Sequence, residues 1–196
     1  MTLISAYGRE VKAGLLRLLV SENGEKWKEH AVMSDDELPE FTEESDLYLC
    51  PDGQMWCVAR TGHNKDHGAY MFWSDPPYTS WQASEDLGYW IHAPAICEVG
   101  DNVYVAGRHD LGRSDRTSTV GLFHLTRGKA TLLRAFEPSQ DSSYPGLVSP
   151  EPGKLVMSFY TNGPDWQGKR IPKYLPEYAR KHSDADIFLA EFGVDY

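Results

Sequence analysis

The sequence predicts an all-β protein, and three observations support this fold class. The apolar residues occur in short runs rich in β-branched and aromatic residues, which favour strands, and turn-forming residues separate the runs. The chain of 196 residues holds 6 Trp and 11 Tyr among 17 Gly and 12 Pro, a composition typical of short strands joined by tight turns. Helical periodicity is scarce, because the one helix-like stretch, residues 175–182, is short and polar.

Charge and composition limit the partners of the protein. A hydrophobic fraction of 41% is sufficient for a folded core. The formal net charge is −10, with 29 acidic against 19 basic residues, which argues against nucleic acid or an anionic membrane surface as partners. No apolar run is long enough to span a bilayer, and residues 15–20 are too short for a signal peptide, so the compartment stays open. The three cysteines lack metal-ligand spacing and are expected to be core side chains.

Three segments of the chain can be superimposed on one another. Residues 46–60, 94–108 and 146–160 each consist of an apolar strand, a tight polar turn and a second apolar strand. Their last residues lie 48 and 52 positions apart. A period of about fifty residues is the size of one propeller blade.

A second kind of hairpin lies between these three. Residues 14–30, 68–84 and 119–136 each contain two strands, and residues 184–192 form a half-copy. One inner and one outer hairpin together make a four-stranded antiparallel sheet, which is a propeller blade. The alternative fold, a β-sandwich, also has short strands and frequent turns but does not predict a repeat of this length. We therefore predict a β-propeller.

The repeat also predicts how the chain is organised. We expect residues 1–196 to form a single propeller unit with blades at approximately 44–86, 92–137 and 144–193, preceded by an incomplete outer hairpin at 12–33. This amounts to about three and a half blades, whereas a closed propeller has at least about four. We therefore expect an incomplete arc, to be completed by further N-terminal blades or by self-association.

The hairpin register places polar residues at equivalent positions of successive blades. Residues equidistant from a turn become cross-strand neighbours. The predicted pairs are Glu44 with Arg60, His92 with Arg108, and Tyr144 with Tyr160. If the inner hairpins line the propeller axis, the six side chains share one rim. The alternative interpretation of any single pair is an ordinary cross-strand contact at a strand end, such as a Glu–Arg ion pair.

This set of side chains suits sugar chemistry. Two arginines that converge on a pocket are suited to binding a carboxylate. A tyrosine is a poor nucleophile at its usual pKa of about 10, but an adjacent carboxylate can take its proton. A Glu, a Tyr and an arginine cluster are therefore the groups that cleavage of an acidic sugar would need.

Several motifs resemble those of the sialidase superfamily of glycoside hydrolases. SENGEKW (residues 21–27) resembles the Asp-box turn of these propellers, and SDPPYTSW (74–81) is similar to a degenerate copy. The remaining likenesses are to the segments that carry the catalytic Glu and a substrate-binding Arg (43–60), the next Arg (100–108), the nucleophilic Tyr (141–148) and the closing strand (187–192).

The resemblance implies a sialidase-type propeller and a role for each residue. Tyr144 would be the nucleophile and Glu44 the base that activates it, while Arg60 and Arg108 would hold a substrate carboxylate. The three residues beside these positions are expected to contribute to substrate binding: His92, Asp46 and Asp141. No metal or other cofactor is implied. An acid/base Asp and a third Arg, which the family carries in its first blades, have no counterpart in this sequence.

Three functions remain open at this point. The chain is part of an exo-glycosidase that cleaves a terminal sugar, or it is a non-catalytic module whose Trp and Tyr side chains stack on a glycan. The third possibility is a structural or interaction fragment whose exposed edge strands pair with another chain. A carbohydrate is the partner expected in the first two cases.

Overall fold

In the computed structural model, residues 2–8, 15–34, 42–61, 68–110, 118–136, 141–161 and 185–194 are described. Within these ranges the secondary structure is β-strand: β1 (Thr2–Gly8), β2 (Leu15–Ser21), β3 (Lys28–Val32), β4 (Thr42–Leu49), β5 (Met55–Thr61), β6 (Tyr70–Ser74), β7 (Gln82–Ala83), β8 (His92–Val99), β9 (Asn102–Asp110), β10 (Ser118–Thr126), β11 (Lys129–Ala135), β12 (Ser142–Glu151), β13 (Lys154–Thr161) and β14 (Asp186–Gly193). None of these ranges contains a helix that could cross a membrane. The helix-like stretch 175–182 lies outside them.

The strands form four antiparallel sheets, each a simple meander. Sheet 1 has the order β1-β2-β3, sheet 2 β4-β5-β6-β7, sheet 3 β11-β10-β9-β8 and sheet 4 β12-β13-β14. The first strands of the sheets contact one another in series, β1 with β4, β4 with β8, and β8 with β12. The sheets are therefore arranged side by side around their first strands, as blades are in a propeller. The predicted all-β, partial β-propeller fold is confirmed.

One strand was not assigned from the sequence. β1 pairs with β2 along its whole length, from Thr2 opposite Ser21 to Gly8 opposite Leu15. It supplies the inner strand of sheet 1, which the sequence analysis treated as an outer hairpin alone. The alternation of the segment TLISAY could have indicated this strand.

Apolar side chains fill the three interfaces between successive sheets. Side chains alternate between the two faces of a strand, so a sheet with neighbours on both sides is apolar on both faces. Accordingly, strand β9 is buried over most of its length. The main core residues are Leu16, Leu18, Met55, Cys57 and Phe72 between sheets 1 and 2, Val58, Met71, Ile91, Val105 and Phe123 between sheets 2 and 3, and Tyr104, Ala106, Leu122, Leu155 and Met157 between sheets 3 and 4.

The cysteines belong to this packing. Cys50 and Cys57 are buried, Cys97 is partly buried, and all three carry free thiols. Burial raises the pKa of the Cys50 thiol to about 11, so the reactive thiolate is scarce at neutral pH. Their structural interpretation from the sequence agrees with these positions.

Side chains organise the turn that follows β2. The Ser21 hydroxyl accepts hydrogen bonds from the backbone N–H groups of Asn23 (3.3 Å) and Gly24 (2.8 Å). The Asn23 side-chain oxygen accepts hydrogen bonds from the backbone N–H groups of Glu25 and Lys26. The Trp27 indole donates to the Gly24 carbonyl at 3.1 Å. In the turn after β6, the Trp81 indole donates in the same way to the carbonyl of Tyr78, three residues earlier. These residues therefore satisfy backbone groups of the turns.

Each of the inner strands β4, β8 and β12 contains a register shift near its start. The pairing skips one residue between Thr42 and Ser45, between His92 and Ala95, and between Ser143 and Gly146. Such a shift marks a β-bulge, in which two residues of one strand face one residue of its partner. The bulges change the cross-strand pairs that the sequence predicted.

The outcome differs among the three predicted pairs. Glu44 lies within the register shift between Thr42 and Ser45, and the strand register does not pair it with Arg60. His92 is paired with Arg108, as predicted. The partner of Tyr160 is Ser143, so the pairing of Tyr144 with Tyr160 was wrong. The prediction assumed regular hairpins, whereas the extra residue of the bulge displaces Tyr144 by one position.

The equivalence among blades changes for the same reason. Beyond the bulges, Asp46 pairs with Val58, Ala95 with Ala106 and Gly146 with Ser158. Two positions before each of these inner-strand residues stand Glu44, Ala93 and Tyr144, which are therefore equivalent. His92 lies one residue before this position, whereas the sequence predicted that His92 itself is equivalent to Glu44 and Tyr144.

Asp46 connects sheet 2 to sheet 3. Its carboxylate accepts hydrogen bonds from the backbone N–H of Ile96 at 2.8 Å and of Leu47 at 2.9 Å. Desolvation raises the pKa of Asp46, and the two hydrogen bonds partly offset that rise. The backbone N–H of Ile96 on β8 is thus satisfied by the side chain of Asp46 on β4. This hydrogen bond joins the two sheets near the propeller axis.

We expect Asp46→Ala to lower the free energy of unfolding by about 1–3 kcal/mol, because it leaves a partly buried N–H of Ile96 without its acceptor. Urea unfolding measures the loss. The control is Asp52→Ala, which removes an exposed carboxylate bonded to the Gln54 N–H in the β4–β5 turn and should cost less than about 1 kcal/mol. Equal losses in the two variants would contradict the inter-sheet role.

Candidate active site at the rim of the inner strands

The site is centred on Glu44, which follows the start of β4. Its Oε2 accepts a hydrogen bond from Nη1 of Arg60 at 2.9 Å, and its Oε1 accepts one from the hydroxyl of Tyr144 at 2.8 Å. Arg60 lies on β5 of the same sheet, whereas Tyr144 lies on β12, two sheets away. The tyrosine therefore reaches past sheet 3 to the carboxylate of sheet 2.

The backbone of Tyr144 is unusual for a non-glycine residue. Its φ of +47° lies in the left-handed region, as does the φ of +48° at the equivalent Ala93. This conformation costs on the order of 1–3 kcal/mol and persists where the surrounding structure imposes it. The side chain of Tyr144 is 61% exposed, so packing of its ring contributes little toward that cost. The bulge of β12 thus holds a strained, accessible tyrosine at the position where its hydroxyl meets Glu44.

Charges and hydrogen bonds define the protonation states of this pair. Burial alone would raise the pKa of Glu44, but the hydrogen bonds from Arg60 and Tyr144 and the charges of Arg60 and His92 outweigh burial and lower it. The hydrogen bond to Glu44 and the negative charge of Glu44 raise the pKa of Tyr144 above its ordinary value of about 10. At neutral pH the pair therefore consists of an ionised Glu44 carboxylate that accepts a hydrogen bond from the neutral phenol of Tyr144.

A second polar cluster surrounds Arg108. Its Nε donates to the carbonyl of Ser142 at 2.9 Å, and its Nη2 donates to Oδ1 of Asp141 at 2.9 Å and to the hydroxyl of Tyr160 at 3.1 Å. The hydroxyl of Tyr160 in turn donates to the same oxygen of Asp141 at 2.9 Å. Burial and the hydrogen bond to Asp141 raise the pKa of Tyr160. Arg108 of sheet 3 is thus hydrogen-bonded to Ser142 and Tyr160 of sheet 4 and to Asp141, which directly precedes β12.

Aromatic contacts join the two clusters. The rings of Tyr144 and Tyr160 are stacked, with centroids 6.1 Å apart and an interplanar angle of 22°. The buried His92 is paired with Arg108 and stacked on Trp90 at 4.8 Å. The charge of His92 lowers the pKa of Glu44, which places the imidazole near the first cluster as well.

The structure brings together six of the seven residues that the sequence analysis selected: Glu44, Arg60, His92, Arg108, Asp141 and Tyr144. It does not bring Asp46 into this network, because both carboxylate oxygens of Asp46 are bonded to backbone N–H groups.

Two further residues belong to the site and were missed. Glu43 forms an ion pair with Nε of Arg60 at 3.2 Å, and Trp90 stacks on His92. The doublet of Glu43 and Glu44 could have indicated the first of these. No sequence signal distinguished Trp90 from the other tryptophans.

Within the described ranges, no group of three or more His, Cys, Asp or Glu side chains is arranged to hold a metal ion.

Comparison with known proteins identifies solved structures with a similar fold. No protein-family model and no curated protein sequence matches the chain. The endosialidase of phage phi92 superimposes with a TM-score of 0.66 at 12% identity, over 99% of this chain and 34% of that protein. A protein of unknown function from Dyadobacter fermentans gives 0.63 at 21% identity, over 83% and 46% respectively. The intramolecular trans-sialidase from Ruminococcus gnavus gives 0.56 at 12% identity, over 93% and 38%.

At these low sequence identities, the similarity concerns the fold alone. The chain shares a β-propeller fold with these three proteins. It spans less than half the length of each of the three structures. Their activities are therefore not transferred with the fold, and function has to be argued from the side chains of this chain.

The protonation of Tyr144 can be tested directly. Its ionisation, isolated by subtracting the alkaline absorbance titration of Tyr144→Phe from that of the unmodified protein, should occur above pH 10. Glu44→Gln should bring it back toward the ordinary value, because the neighbouring negative charge is lost. Since the folded-state pKa lies above the unfolded one, the contact stabilises the fold below about pH 10 and this contribution disappears as the pH rises through the raised pKa. An unshifted pKa in Glu44→Gln would contradict the contact.

Proposed function

We propose that this site binds a glycan and cleaves a glycosidic bond, with Tyr144 as the nucleophile and Glu44 as its base. The observation that carries the proposal is the 2.8 Å hydrogen bond from the hydroxyl of Tyr144 to a carboxylate that Arg60 holds in place. A phenol becomes a competent nucleophile when a positioned base accepts its proton. The β-propeller fold, shared with glycan-acting enzymes, supports the same conclusion.

The proposed reaction has two displacements at the anomeric carbon. In the first, Oη of Tyr144 attacks the carbon while its proton passes to Oε1 of Glu44, the glycosidic C–O bond breaks, and the leaving group departs with the bonding electron pair. In the second, a water molecule attacks the same carbon, gives its proton to solvent, and the Tyr144 oxygen leaves and recovers its proton from Glu44. Two inversions retain the configuration of the sugar.

The supporting residues have distinct tasks in this proposal. Arg60 orients Glu44 and keeps it ionised through the contact at 2.9 Å. Arg108 and Asp141 lie beside the stacked pair of Tyr144 and Tyr160, where they would bind sugar hydroxyls. A partly exposed guanidinium and an exposed carboxylate supply donors and acceptors for such groups.

Tyr144→Phe should abolish hydrolysis of an aryl glycoside, because the nucleophilic oxygen is removed while the ring and its stacking remain. Glu44→Gln should reduce the rate by about 10²–10⁴-fold, the usual contribution of a general base. Release of the aryl group from a panel of 4-nitrophenyl glycosides measures both, since this leaving group departs without protonation.

The matched control for the first variant is Tyr78→Phe. It removes a hydroxyl that donates to the Gly53 carbonyl in the β4–β5 turn, at the other end of the hairpin from Glu44. Its activity should equal that of the unmodified protein. Full activity in Tyr144→Phe would eliminate Tyr144 as nucleophile.

A second candidate function is glycan binding without cleavage. The observation that favours it is the exposed ring of Tyr144, which is stacked on the partly buried ring of Tyr160, since aromatic faces are suited to packing against apolar faces of other molecules. In this case no aryl glycoside is hydrolysed, Tyr144→Phe retains binding in a calorimetric titration, and Tyr144→Ala loses it. Turnover that depends on the Tyr144 hydroxyl would rule this candidate out.

A further inference from the structure

The arginines of the site are already bonded to carboxylates of the protein. Arg60 is 12% exposed and contacts Glu43 and Glu44 at 3.2 and 2.9 Å. Arg108 contacts Asp141 at 2.9 Å and is 26% exposed. Both guanidiniums thus have internal partners of the kind that an acidic sugar would provide.

Among the described residues, the charges of the site do not favour an anion. Three carboxylates (Glu43, Glu44 and Asp141) contact the two guanidiniums. This described cluster carries one net negative charge, or none when His92 is protonated. An incoming carboxylate would have to displace Asp141 from Arg108 and would remain close to Glu44, so its desolvation would be poorly compensated.

Asp141 is also held in place by a second donor. Its Oδ1 accepts from Tyr160 at 2.9 Å in addition to Arg108, and the side chain is 55% exposed. A carboxylate that is exposed to this degree can accept hydrogen bonds from neutral hydroxyl groups while its contacts with Arg108 and Tyr160 persist. A sugar without an acid group therefore fits the arrangement as it stands.

We propose that Asp141 determines specificity by occupying Arg108 in place of a substrate carboxylate, so that the site takes a neutral sugar. This inference rests on the proposed function and names its substrate class. It departs from the acidic sugar that the arginines alone suggested.

The test uses sugars in matched pairs in which a carboxylate replaces the terminal CH₂OH group: galactose with galacturonic acid, glucose with glucuronic acid, and mannose with mannuronic acid. Calorimetric titration of the unmodified protein should show the neutral member of the preferred pair binding at least about tenfold more tightly than its acidic partner. In Asp141→Asn this ratio should fall by about tenfold or more, because Arg108 loses its internal carboxylate and the site loses one negative charge.

Two further variants secure the interpretation. Glu43→Gln removes a carboxylate from Arg60 and should shift the ratio in the same direction, independently of how Asp141→Asn folds. Asp52→Asn removes one exposed carboxylate from the far turn and should leave the ratio unchanged, which controls for overall charge.

The outcomes separate the inference from the function on which it rests. Tighter binding of the acidic members by the unmodified protein, or an unchanged ratio in both Asp141→Asn and Glu43→Gln, would overturn the neutral-sugar specificity alone. Absence of binding to every member of all three pairs would contradict the glycan-binding function and the inference together.

Discussion

The site depends on the β-bulges at the start of the inner strands. A regular strand alternates strictly between two faces, whereas Ser142 and Ser143 at the start of β12 are both buried and Tyr144 is exposed. The extra residue in β12 breaks this alternation and places Tyr144 in a left-handed conformation. The tyrosine can then leave its own sheet interface and meet Glu44 across the arc. The exposed phenol and its contact with the carboxylate therefore both lie at the bulge.

The contacts between inner strands give this arrangement its rigidity. Asp46 bonds β4 to β8, and Arg108 bonds β9 to the beginning of β12 through the Ser142 carbonyl. Large apolar side chains fill the sheet interfaces behind them. A hydrogen bond between side chains a hundred residues apart, as between Glu44 and Tyr144, is maintained only because three sheets are packed at fixed distances. This is the preorganisation that catalytic or binding geometry requires.

Electrostatic compensation gives the site its chemical character. Glu44 is shared between a guanidinium and a phenol, which lowers its pKa while raising that of Tyr144. The arginine that the sequence suggested as an anion clamp is instead paired with Asp141 and Tyr160. The number of arginines in a rim therefore says little about ligand charge until the carboxylates around them are counted.

Much of the architecture could be predicted from the sequence by itself. The fifty-residue repeat and the alternation of inner and outer hairpins indicated sheets of propeller type, because strand period and turn chemistry are local properties. Glu44, Arg60, Arg108 and Tyr144, which were selected from the sequence, lie in the two adjoining polar clusters. The prediction missed β1, although this strand pairs with the next strand along the chain, and it placed His92 one position away from its equivalent in the neighbouring blades.

Only the tertiary structure decided the details that determine chemistry. A bulge results from packing at the inner rim and has no unique local signature, so the pairing of Ser143 with Tyr160 could not be read from the hairpin lengths. The separation of Asp46 from the site and the inclusion of Glu43 are questions of side-chain direction, which sequence spacing does not specify. The partners of Arg108 come from β12 and β13 of another sheet, and such contacts exist only once the sheets are assembled.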